Sequence, residues 1–263
     1  MTRRCRRRAR WSRSATTATI VLLSGVLALG ACGSSGEPTI VVSGAASLKK
    51  AFNAYGEAFQ PAHVSFSFAG SDVLAAQIEQ GARPDVFASA NIKLPQTLYQ
   101  NGLVQRPIVF ASNKLVLAVP AGSTKVRQLA DAERPGTVLS VGTAEVPVGA
   151  YAATALERLP AAQRAALLAN VRDREPDVTG IVGKLTEGAA DAGFLYITDV
   201  AATHGQLKAI ALPASLQPRV AYGAAVVSGG GHQAQARAFV NGLLSGPGRE
   251  ALRAAGFLPP PQS

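Results

Sequence analysis

Ser47 sits in "SGAASLKKAF" (43–52), directly after the apolar run "TIVV" (39–42). Its spacing to Lys50 gives Ser-x-x-Lys, an arrangement in which a lysine can activate a serine nucleophile for acyl transfer. The position admits a second chemistry: a serine between a strand and a helix can hold an anion against the free N–H groups of the first helical turn. It also admits a plain helix N-cap. Ser71, in "FAGSDVL" (68–74), repeats the placement after the next apolar run.

Enzymatic chemistry finds little further material. Penicillin-interactive serine enzymes add an S-x-N element and a Lys-Thr-Gly strand to Ser-x-x-Lys. Here Ser71-Asp72-Val73 meets only the start of the first, and Lys-Thr-Gly does not occur. There is no G-x-S-x-G, and His63, His204 and His232 stand apart without H-x-x-x-H spacing. Neither a serine–histidine triad nor a metal centre is indicated. The anion chemistry gathers more. "EVPVGAY" (145–151) places Val148 and Gly149 before a third helical run, and "DVTGIV" (177–182) opens a fourth. Four helix starts at strand ends can present backbone N–H groups and two hydroxyls to one cleft, with the partial positive charge of each start favouring an anion. The residues alone leave capping and anion binding both open, and they name no ligand.

The elements that must position these residues alternate short β-runs with helical ones, which argues an α/β fold. Leu48, Phe52, Tyr55 and Phe59 fall at helical spacing. Strands are expected at 39–44, 63–68, 84–89, 114–120, 138–142, 192–197, 207–212 and 221–227. Helices are expected at 72–81, up to Gly102, around 149–158 and 161–169, at 178–188, and at 233–244 and 248–255. Chemistry at the carboxyl ends of strands suits open doubly wound sheets. Two such sheets fit 263 residues better than one, with a crossing near 114–120.

The formal charge of +10 resides mainly in residues 1–31; removing that segment's seven arginines leaves +3. A nearly neutral mature chain without a basic, aromatic-rich stripe argues against nucleic-acid binding. The arginine-rich start and the apolar stretch from Ile20 to Leu29 form an export signal, too short for a membrane-spanning helix. "LGAC" (29–32) resembles a bacterial lipobox, which implies cleavage before Cys32 and a lipid on its sulfur. Cys5 leaves with the signal, so no disulfide is expected. Residues 32–38 are expected to form a flexible linker.

From Thr39 to Phe257 the chain resembles the periplasmic molybdate-binding proteins of ABC importers. The resemblance is carried in order by "AASLKKAF", "FAGSDVLAAQIEQGARPDVFASA", "VGTAEVPVGAYAATAL", "DAGFLYITDV" and "LSGPGREALRAAGF". It implies two α/β lobes, each a doubly wound sheet, roughly 39–116 with 223–263 and 117–222, closing like a hinge on a ligand between them. It implies a monomeric receptor without cofactor or catalysis, exported and lipid-anchored, that delivers molybdate or tungstate to a membrane permease. The five implied ligand positions are Ser47 and Ser71 through hydroxyl and N–H, Val148 and Val178 through N–H alone, and Tyr196 through its phenol. Ser47 is expected to cap its helix as well. Asp72 stands where the family commonly has a hydroxyl residue, and its carboxylate is expected to point outward. The alternatives are a receptor for sulfate or phosphate and, from another class, the acyl-serine enzyme using Ser47 and Lys50.

Overall fold

The structure is a computed structural model that describes residues 37–261. The export signal and the lipidation site Cys32 lie outside the described residues, as does most of the 32–38 linker.

Ten strands form two five-stranded sheets. The first holds β1 (Thr39–Ala45), β2 (His63–Ala69), β3 (Val86–Ser89), β4 (Ile108–Asn113) and β10 (Val220–Val226), in the order β2-β1-β3-β10-β4. The second holds β5 (Leu115–Pro120), β6 (Leu139–Gly142), β7 (Val171–Glu175), β8 (Ala192–Tyr196) and β9 (Leu207–Ala211), in the order β7-β6-β8-β5-β9. Each sheet has a parallel trio, β2-β1-β3 and β7-β6-β8. In each, the next strand runs antiparallel: β10 against β3 and β5 against β8. These two are strands that enter a sheet from the other one. The chain changes sheets at Lys114 and again between Ala211 and Val220.

The parallel strands are joined through helices, because a parallel pair needs a crossover connection. In the first half these are α1 (Lys49–Ala58), α2 (Ser71–Glu79) and α3 (Lys93–Gln100); α8 (Gln233–Gly242) and α9 (Gly246–Ala254) end the chain. In the second they are α4 (Pro147–Glu157), α5 (Ala161–Ala169), α6 (Val178–Thr186) and α7 (Ile197–Ala202). Period-two alternation in the strands covers both faces of the first sheet. Val86, Ala88, Ala224 and Val226 join one core cluster, while Phe87 and Ala225 join another with Leu74, Ile78 and Leu98 of α2 and α3. No helix among the described residues is long and apolar enough to cross a membrane.

The expected apolar face of α1 is realised. Leu48, Phe52 and Tyr55 are buried, and Phe59 follows at the helix end. Phe239 of α8 is the hub of that cluster, with ring centroids 5.6 Å from Phe52, 4.5 Å from Tyr55 and 5.4 Å from Phe59. The Tyr55 hydroxyl donates to the Phe239 carbonyl at 3.1 Å. Three elements were not expected from the sequence. β4 is separated from β5 only by Lys114, at the polar break Ser112-Asn113-Lys114; β7 is a charged edge strand, "VRDRE"; α7 is a turn and a half, too short to show a period. Truncating the hub should be costly: Phe239→Ala is expected to lose about 3–5 kcal/mol, seen as a lower urea midpoint.

Candidate functional site

All five sequence-assigned positions meet. Ser47, Ser71, Val148, Val178 and Tyr196 line one small cavity, together with short residues such as Ala45, Ala69, Gly70 and Ala90. Its empty space is no more than ≈ 200 Å³, which leaves no room for a bulky organic ligand. No lysine, arginine or histidine lines it, and among the described residues no group of three His, Cys, Asp or Glu could hold a bare metal ion.

Each wall is a place where a strand of a parallel trio ends and the chain turns. After β1, a single 3₁₀ turn, Ala46–Leu48, carries Ser47 before α1 begins. After β2, Gly70 is the N-cap of α2 and Ser71 its first residue. Neither serine caps its helix through its side chain, which corrects the capping role expected for Ser47. The Ser71 Oγ accepts the Ala90 N–H at 3.1 Å, so its own hydrogen is free to donate into the cavity. The Ser47 Oγ lies 3.0 Å from the Tyr222 hydroxyl. Lys50 lines a separate, wider cavity alongside Ser47 and Lys49, but the hydrogen-bond partner of the serine is Tyr222.

The backbone donors follow from helix geometry, since the first amides of a helix have no acceptor one turn back. In α2 the N–H of Leu74 is the first to reach back, to the Gly70 carbonyl at 3.1 Å; in α4 it is Ala150, to Val146 at 3.0 Å. The amides of Ser71 and Val148 precede these. α4 can start this close to β6 because residue 149 is glycine: a Cβ there would strike the carbonyl oxygens of Thr143 and Gly142. In α6, Asp177 is the N-cap and takes the N–H groups of Thr179 and Gly180 at 2.7 and 3.2 Å, leaving Val178 as the donor ahead of them. Proline at the first position of α4 loses nothing, because that amide has no helical partner in any case.

Tyr196 closes the site from the end of β8. It is 1% exposed, and its hydroxyl is buried without a hydrogen-bond partner. A buried polar group left unpaired costs about 1–3 kcal/mol, a cost that a partner for this hydroxyl would remove. Burial first, and then the nearby Tyr222, Tyr151 and Asp199, push its phenol well above the ordinary value of 10. Tyr196 therefore stays protonated and can donate. Its backbone N–H is held by the Asp199 carboxylate at 3.0 Å. Burial raises that carboxyl to about 7, against the opposing pull of the Tyr196 N–H and with a further push from Asp177, so its negative charge near the site is incomplete at neutral pH.

Asp72 does not line the cavity. The residue is half-buried, and its Oδ1 is buried without a partner beside Gly70. Tyr222, Asn113, Asp177 and Asp199 were not anticipated from the sequence. Only Asp177, an acid directly before an apolar helical run, offered a local cue.

Residues 40–258 match the family described as bacterial extracellular solute-binding protein. The chain belongs to that family. This solute-binding protein is 35% identical over 258 residues to the molybdate-binding protein ModA of Mycobacterium tuberculosis, covering 91% of this chain and 97% of that one. Among solved structures, the periplasmic molybdate-binding protein of Azotobacter vinelandii superposes with a TM-score of 0.76 at 20% identity, over 84% of this chain and 100% of that one. The sulfate-binding protein SubI of Mycobacterium tuberculosis also superposes at 0.76, with 19% identity over 84% and 87% of the two chains. At these identities the structural likenesses establish the shared two-lobed α/β fold.

Replacing the orphaned hydroxyl separates structure from function in this solute-binding protein. Tyr196→Phe is expected to leave the ligand-free melting temperature unchanged or raised, because an unpaired buried group is removed. The same variant should weaken anion binding about tenfold or more by calorimetric titration.

Proposed function

We propose that this protein is an extracytoplasmic receptor that binds molybdate, and tungstate with it, as the intact tetrahedral oxyanion and delivers it to an ABC permease. The observation that carries this reading is the buried, unpartnered Tyr196 hydroxyl facing a small cavity shared with Ser47, Ser71, Val148 and Val178. A desolvated dianion is tolerable only when its oxygens are fully hydrogen-bonded. Two serine hydroxyls, a protonated phenol and amides at helix starts form such a donor set, and charge-assisted bonds to an anion are stronger than neutral ones. The similarity to molybdate-binding relatives over 91% of the chain supports the choice of anion.

Selection follows from the same donors. Sulfate carries the same charge but is smaller, so it cannot meet all of the donors at once. Hydrogen phosphate brings a proton that needs an acceptor, and the one carboxylate at the cavity, Asp177, is already engaged by Thr179 and Gly180. The receptor performs no catalysis. It acts as a monomer without a cofactor, is held at the outer face of the cytoplasmic membrane by a lipid on Cys32, and closes its lobes on the anion before docking on the permease.

A thermal-shift titration against the four anions tests this reading, since a ligand that binds only the native state raises stability by RT ln(1 + [L]/Kd). Molybdate and tungstate should raise the melting temperature strongly, with sulfate and phosphate giving little. Ser71→Ala should lose most of the shift. A larger rise with sulfate or phosphate would reassign the ligand, and no rise with any of the four would remove the anion reading.

A further inference from the structure

Tyr222 is wholly buried in β10, the strand that returns to the first sheet, and its hydroxyl lies 3.0 Å from the Ser47 Oγ. Either oxygen could donate in isolation, but the surroundings decide the direction. The side-chain oxygen of Asn113, the last residue of β4, accepts the Lys114 N–H at 2.9 Å. That contact requires Oδ1 on its side and so turns Nδ2 the other way. From there Nδ2 donates to the Thr198 Oγ1 at 2.8 Å and, over a longer link of 3.5 Å, to the Tyr222 hydroxyl oxygen. An oxygen that accepts from Asn113 directs its own hydrogen elsewhere, and the Ser47 Oγ is within reach.

We infer that Tyr222 is a positioning residue for the anion site: the chain Asn113 Nδ2–H to Tyr222 O–H to Ser47 O–H fixes the serine hydroxyl as a donor toward the bound oxyanion. This inference rests on the anion-receptor reading and deepens it. Burial keeps the Tyr222 phenol well above its ordinary value, so its proton is present at neutral pH. Hydrogen bonds in series polarise one another, and here the direction of the chain is toward the negative charge.

Two consequences follow for the receptor. First, Ser47 cannot readily rotate to accept a proton, so the chain discriminates against hydrogen phosphate, which must donate one. Second, Asn113 and Tyr222 flank the two points at which the backbone changes sheets, and Thr198 belongs to the second half beside Tyr196. The serine donor is thereby tied to the crossover through hydrogen bonds.

The test is a double-mutant cycle on the whole chain by calorimetric titration with molybdate and with phosphate. Tyr222→Phe should weaken molybdate binding about tenfold and narrow the molybdate-to-phosphate affinity ratio by a similar factor. Ser47→Ala should weaken molybdate at least as much, and the double variant should bind no worse than Ser47→Ala alone, because Tyr222 acts through that hydroxyl. Asn113→Ala should move the ratio in the same direction by a smaller factor, which provides a second measurement if Tyr222→Phe folds poorly. Unchanged molybdate affinity in Tyr222→Phe, or an equal loss in the presence and absence of the Ser47 hydroxyl, would overturn the inference. Failure of the unaltered protein to bind molybdate would instead sink the receptor reading beneath it.

Discussion

A doubly charged oxyanion can leave water only if every oxygen finds a donor, and that requirement accounts for the arrangement of this molecule. Donors without side-chain charge are available in quantity at helix starts, where the amides of the first turn have no partner of their own. One such start supplies too few. The fold gathers the turn after β1, the start of α2, the start of α4 and the start of α6 around one cavity, and it adds the end of β8 with Tyr196. Because strands of a parallel trio all end at the same edge of their sheet, two facing sheets bring several of these ends together.

Close approach then has to be made possible. Small residues do this: Ala45, Ala69, Gly70 and Ala90 line the cavity, and Gly149 lets α4 begin against the carbonyls that end β6. The anionic neighbours are managed individually. Asp177 is engaged as an N-cap, and Asp199 is occupied by the Tyr196 N–H and only partly charged near neutrality. What remains unengaged at the cavity is the Tyr196 hydroxyl, the one buried phenol oxygen without a partner among the described residues. Such a group is a cost to the ligand-free protein that binding removes.

Much of this was legible in the sequence, because the signals were local. Alternating strand and helix runs indicated an α/β fold, and serines or glycines at strand-to-helix junctions left capping and anion binding both open. The resemblance of five ordered segments picked out the five residues that the structure brings together. What escaped detection was either locally ambiguous or distant in the chain. β7 is an edge strand whose half-buried, charged residues carry no apolar alternation, and α7 is too short for a helical period. Ser47 looked like a cap, but an intervening 3₁₀ turn moves the N-cap of α1 to Leu48 and frees the hydroxyl for Tyr222. That partner is 175 residues away in sequence, and nothing around Tyr222 distinguishes it from an ordinary sheet tyrosine.

The central claim is that one anion is held by uncharged donors at the meeting point of strand ends, and crystals grown with tungstate test it most directly. The anomalous scattering of tungsten should give a single peak in the cavity bounded by Ser47, Ser71, Val148, Val178 and Tyr196, with the anion's oxygens about 2.7–3.0 Å from those hydroxyl and amide donors. A peak in the neighbouring cavity beside Lys49 and Lys50, or a tungsten atom coordinated directly by protein side chains, would contradict it.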